Sequence, residues 1–137
     1  MADSNESTQR FPDDLVTGNQ DGLDAQEIAA INALPSGSAL LVVKRGASDG
    51  ARFLLDTDLA TAGRHPNADI FLDDVTVSRK HAEFVRAGRN FEVRDQASLN
   101  GTYVNGKSID SVKLFNGDEV QIGKFKLTFY ASPADLA

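Results

Sequence analysis

The chain has 137 residues, 41% of them apolar, with no cysteine and a formal net charge of −6. That length suits one domain of ordinary size with a short tail, and the missing cysteines exclude a disulfide frame and thiolate chemistry. Residues 1–36 carry seven acids against one base, Arg10, whereas residues 37–137 hold thirteen of each; an acidic tail ahead of a neutral body argues against a nucleic-acid binder, whose affinity rests on many basic contacts to phosphate.

Residues 1–22 are polar, acidic and poor in branched apolar side chains, the composition of a disordered tail. Within them Glu6-Ser7-Thr8-Gln9-Arg10-Phe11 holds a lone aromatic. The opening MADSNESTQR has no apolar signal core, and no run in the chain approaches the length of a membrane span. The expected location is the cytoplasm, away from membranes. From Leu23 to Leu34, LDAQEIAAINAL places Leu23, Ile28, Ile31 and Leu34 near one helical face, with Pro35 and Gly37 to stop it. Residues 1–36 are therefore read as an acidic tail with a short helix at 23–34, and residues 37–137 as the folded body.

The body changes period. Ala39–Lys44 is a continuous apolar run, and short segments follow at Arg52–Leu55, Leu59–Ala62, Asp69–Leu72, His81–Val85, Phe91–Val93, Thr102–Val104, Val112–Phe115, Glu119–Ile122 and Phe125–Tyr130. Gly88 marks a hairpin between His81–Val85 and Phe91–Val93, and Asn105-Gly106 is a strong two-residue hairpin signal because both residues tolerate positive φ. Val120 and Ile122 alternate, as do Phe125, Leu127 and Phe129. About ten or eleven short strands with frequent turns mean an all-β sandwich, not a parallel α/β sheet.

Three turn-like clusters carry the donors. Gly63 permits a sharp turn before Arg64, whose guanidinium offers a forked pair of N–H groups to a phosphate. Alternatively, Arg64 is a surface cation paired with Asp69 or Asp73. Ser78 and Arg79 place a hydroxyl beside a second guanidinium, although serine is equally at home as a turn cap; Lys80 is read as solvated. Asn100-Gly101 forms the third cluster, and the Asn100 amide both donates and accepts, as needed to hold an extended peptide backbone. Asp73-Asp74 is read as solvated or loop-bracing. Ser78 with His81 raises a hydrolase, but nothing resembles a nucleophile elbow, and His81 suits a packed role with its ring nitrogens on loop backbone. His65 and His81 lack partners for a metal site. No cofactor is expected.

Gly63-Arg64, Ser78-x-x-His81 and Asn100-Gly101, followed by Asn105-Gly106, resemble the forkhead-associated (FHA) domain signature over about Ala39 to Tyr130. The resemblance implies an eleven-stranded β-sandwich that binds phosphothreonine peptides at one end without catalysis. By position, Arg64, Ser78 and Arg79 would contact the phosphate, Asn100 would hold the peptide backbone, and Ser98 or the Leu99 amide would line the site. Gly63, His81 and Gly101 would shape the loops. TAGRHPNADIFLDDVTVSRKHAEF and SLNGTYVN are further similar to the GarA/OdhI family of actinobacterial regulators. In that family a Glu-Thr-Thr-Ser-Val-Phe tail motif is phosphorylated by PknB- and PknG-type Ser/Thr kinases. The unphosphorylated form binds metabolic enzymes, notably inhibiting the 2-oxoglutarate dehydrogenase complex, and the phosphorylated tail folds onto its own FHA site. Here Ser7 stands where the first threonine of the motif is expected, so Thr8 is the expected switch, with Ser7 and Thr17 as secondary candidates. The resemblance also leaves room for an adaptor that reads phosphothreonine on other proteins.

Overall fold

Backbone geometry follows the change of period at Pro35. In the computed structural model, residues 23–45 and 50–136 are described, and the chain divides into one unit up to Ala33 and another from Leu34 to Ala137. In the first unit, α1 spans Ala25–Asn32, shorter at both ends than the predicted 23–34. Its start is set by a capping box: Glu27 N–H donates to Asp24 Oδ1 at 2.7 Å and Asp24 N–H to Glu27 Oε1 at 3.1 Å. Ala33 is the C-cap, and Leu34, preceding a proline, is biased away from helical backbone.

The second unit is a sandwich of two sheets. In chain order its strands are β1 (Ala39–Arg45), β2 (Arg52–Leu55), β3 (Leu59–Gly63), β4 (Ile70–Phe71), β5 (Ala82–Ala87), β6 (Asn90–Asp95), β7 (Thr102–Val104), β8 (Lys107–Ile109), β9 (Ser111–Leu114), β10 (Glu119–Ile122) and β11 (Phe125–Ala131). One sheet runs β2-β1-β11-β10-β7-β8 and the other β4-β3-β5-β6-β9. Among these ladders only β3–β4 is parallel. Inward residues at period two, including Phe84, Phe91, Val93, Val120, Ile122, Phe125, Leu127 and Phe129, form one continuous core. Phe91 and Phe129 meet edge-on with centroids 6.0 Å apart, which links the sheets directly.

Most strand boundaries agree with the sequence reading to within a residue or two, and the differences have local causes. β8 was not among the expected strands; Asn105 (φ 51°) and Gly106 (φ 84°) turn β7 back on itself to make it. Asn105 also binds beyond its turn, donating to Asp118 Oδ1 and accepting from Glu119 N–H. The segment 69–72 shrinks to the two residues of β4, flanked by Asp69 bonded to Thr61 and Leu72 N–H bonded to Gly63 O. His81 lies just outside β5, its ring turned into the loops. No helix among the described residues is long and apolar enough to cross a membrane.

Candidate functional site

The site begins where β3 ends. Its last residue, Gly63, has no positive φ, which corrects its expected role as a sharp-turn residue. Glycine is needed there for space: a Cβ would lie 2.1 Å from Arg79 O and 3.1 Å from Ser78 O. The 64–69 and 72–81 loops are thereby drawn together, with Arg64 N–H donating to Ser78 O at 3.0 Å and His65 N–H to Arg79 O at 3.3 Å. Arg64 Nε donates to Val77 O at 3.1 Å, rooting the guanidinium while its terminal nitrogens have no partner among the described residues. The alternative pairing with Asp69 is not formed, because Asp69 accepts the Thr61 N–H and hydroxyl.

His81 is fully buried and joins three segments. Its Nδ1 accepts the Ser78 N–H at 3.0 Å, and its Nε2 lies 2.8 Å from Gly101 O. A carbonyl can only accept, so this network assigns the ring proton to Nε2. His81 N–H donates to Ala62 O and its carbonyl accepts from Gln96 N–H. With both ring nitrogens on backbone, His81 does not reach the Ser78 hydroxyl as a base would. Ser78 Oγ instead accepts the Leu99 N–H at 2.9 Å.

Asp95 organises the third loop. It accepts the Ser98 hydroxyl at 2.5 Å, the Ser98 N–H at 3.2 Å and the Thr102 hydroxyl at 2.7 Å. Burial pushes its pKa up, but the bonds from Ser98 and Thr102 outweigh that and hold the carboxyl below its ordinary value. Both donors expected to line the site are thus engaged within the protein: Ser98 faces Asp95, and the Leu99 amide faces Ser78. The Leu99 side chain stands 90% exposed. Gly101 has φ +83°, a conformation that favours glycine, and presents its carbonyl to His81.

Arg79 and Asn100 are exposed on neighbouring loops. The Asn100 Nδ2 donates to Thr76 O at 2.9 Å, while the Arg79 guanidinium has no acceptor among the described residues. The fold therefore gathers Arg64, Ser78, Arg79 and Asn100 through direct backbone and side-chain bonds. Two guanidinium groups and a hydroxyl around one loop junction suit a small, highly charged oxyanion. Among the described residues no three metal-binding side chains cluster.

Sequence reasoning passed over Thr76 and Lys124. Thr76 N–H and hydroxyl both donate to Asp74 Oδ2, and Lys124 Nζ pairs with Asp74 Oδ1 at 2.9 Å. The Thr76 hydroxyl, then Lys124, hold the Asp74 pKa down to about 2. The Asp-x-Thr spacing is a recognisable local turn, but the lysine comes from a hairpin about fifty residues away and leaves no local sign.

The FHA domain pattern matches residues 60–123. Glycogen accumulation regulator GarA of Mycolicibacterium smegmatis is 63% identical over 106 residues, covering 77% of this chain and 67% of that protein. An oxoglutarate dehydrogenase inhibitor of Corynebacterium jeikeium is 58% identical over 126 residues, covering 90% of this chain and 87% of that one. Among solved structures, an FHA domain described by its phosphothreonine-dependent interactions superimposes with a TM-score of 0.65 at 29% identity, over 70% of this chain and 98% of that one.

Proposed function

The chain belongs to the FHA-domain family that includes the mycobacterial GarA and corynebacterial oxoglutarate dehydrogenase inhibitor proteins, and on that premise we propose that it is a phosphothreonine-binding regulator of metabolic enzymes, the 2-oxoglutarate dehydrogenase complex first among them. The observation that carries this reading is the bonded junction of Arg64 with the Ser78–Arg79 loop, which leaves two exposed guanidinium groups beside a hydroxyl. A phosphothreonine brings nearly two negative charges and three strong acceptors to such a junction. The chain binds rather than converts: with His81 held on backbone, Ser78 has no base among the described residues, so its hydroxyl serves as a ligand.

Regulation follows from the tail. Thr8, Ser7 and Thr17 lie outside the described residues, and Thr8 is the residue assigned to a kinase of the PknB or PknG type. Thr8 and Ala39 are 31 positions apart in the chain, and joining a ligand covalently to its own site sets a local concentration on the order of mM. A modest intrinsic affinity is then enough for the phosphorylated tail to occupy the chain's own site and exclude the enzyme partner. The protein acts in this scheme as a cytoplasmic monomer.

Kinase-treated full-length protein is expected to lose partner binding and to become more compact by small-angle scattering, independently of protein concentration. Arg64→Ala should abolish both changes. Concentration-dependent association in place of compaction would instead make the protein an adaptor acting in trans, and an unchanged response in Arg64→Ala would refute the site.

A further inference from the structure

Asp74 lies outside the anion-binding group and yet is wired to it. Its Oδ2 accepts the Thr76 N–H at 2.9 Å and hydroxyl at 2.5 Å, and its Oδ1 pairs with Lys124 Nζ at 2.9 Å. From the tip of the β10–β11 hairpin, Lys124 N–H donates to Thr76 Oγ1 at 3.0 Å. The Thr76 hydroxyl is thus held from two sides, as donor to Asp74 and acceptor from the hairpin. The tip comes this close because residue 123 is glycine. A Cβ there would lie 2.5 Å from Thr76 Oγ1 and 2.8 Å from Val77 Cγ2. Thr76 O, fixed by this frame, accepts Asn100 Nδ2 at 2.9 Å.

The consequence is one of polarity. A primary amide has one donor end and one acceptor end, and an exposed asparagine can present either. With one Nδ2 hydrogen anchored on Thr76 O, the amide is held against flipping, and Oδ1, which takes an N–H, is left to a ligand beside the second Nδ2 hydrogen. We infer that Asp74, Thr76 and Lys124 are positioning residues that hold the Asn100 amide in one orientation, with Oδ1 and the second Nδ2 hydrogen left to the bound peptide. This rests on the proposed reading of the junction as a phosphothreonine site. The frame lies along a shallow cleft of about 480 Å³ lined by Thr76, Asn100, Tyr103, Gln121 and Lys124, which leaves room for extended chain beside Asn100. Each of the three acts through Asn100.

The test uses the unphosphorylated full-length chain and a synthetic peptide of residues 3–13 phosphorylated at Thr8, titrated by NMR. Thr76→Val and Lys124→Ala are expected to weaken binding about fivefold each, the worth of one ordinary hydrogen bond. The same changes in an Asn100→Ala background should have no further effect, and Thr76→Ser and Lys124→Arg should restore wild-type affinity. The Asn100 side-chain NH2 resonances of the free protein should move in Thr76→Val and Lys124→Ala and stay in place in the two rescue variants. Equal losses with and without Asn100 would mean that the frame merely stabilises the fold and would overturn the inference, as would full affinity in Thr76→Val. Failure of the wild-type protein to bind the phosphopeptide would overturn the functional reading instead; the free-protein NH2 resonances would then decide the positioning role alone, unmoved signals counting against it.

Discussion

Replacing Gly63 by alanine tests how closely the first two loops must approach. The new Cβ would sit 2.1 Å from Arg79 O, 2.9 Å from the Arg79 carbonyl carbon and 3.1 Å from Ser78 O. All three are backbone atoms, so no rotamer change relieves the clash. Restoring ordinary contact, near 3.5 Å, requires the 78–79 backbone to retreat by about 1 Å or more. That retreat breaks the Arg64 N–H···Ser78 O and His65 N–H···Arg79 O bonds. Overpacking of this kind costs about 1–3 kcal/mol, and two ordinary hydrogen bonds add about 1 kcal/mol each. The sum is about 3–5 kcal/mol, a drop in melting temperature on the order of 10–20 °C for a domain of this size. Urea unfolding followed by circular dichroism measures it, with phosphopeptide titration in parallel, since the same movement displaces Ser78 and Arg79. Gly88→Ala is the control: φ is +64° but none of the described residues lies within 4 Å of the new Cβ, so only the backbone penalty of about 1–2 kcal/mol applies. A Gly63→Ala loss no larger than that of the control would refute the close-approach argument.

Four further outcomes are expected. Arg79→Ala should leave stability within about 0.5 kcal/mol of wild type, whereas Arg64→Ala, which loses its bond to Val77 O, should cost about 1 kcal/mol; chemical denaturation separates them. Both should weaken phosphopeptide binding about 10- to 100-fold, the range of a charge-assisted bond, and calorimetry would contradict the site if either bound normally. His81→Ala removes a buried ring and two loop anchors and should destabilise by about 3–5 kcal/mol in urea titrations. Asp74 has a folded pKa depressed from 3.8 to about 2; its stabilising effect is therefore full above the unfolded value and is lost as pH falls through the folded one. Carbon-13 NMR of the Asp74 carboxyl should show that low midpoint in wild type and an upward shift in Lys124→Ala.

Much of the fold was legible because burial imposes a period. Val120, Ile122, Phe125, Leu127 and Phe129 announced their strands by alternation, and Asn105-Gly106 announced a hairpin by its tolerance of positive φ. β8 escaped notice because Lys107, Ser108 and Ile109 carry no apolar alternation; that strand pairs along an edge. At the site, residue types marked the positions but not the partners. Ser98 looked like a ligand and is bonded to Asp95, while Gly63 looked like a turn and is a point of contact between two backbones.

Composition and spacing by themselves determined that this chain makes an all-β sandwich with donor-rich loops, because strand propensity and turn chemistry act over a few neighbouring residues. Only the folded structure decided which donors remain available, since a hydrogen bond between segments far apart in the chain depends on where the sheets carry them. Lys124 meeting Asp74, Ser78 receiving the Leu99 amide and His81 reaching Gly101 are all contacts of that kind. Each satisfies a polar group inside the protein, and what those contacts leave unpaired is what a ligand meets.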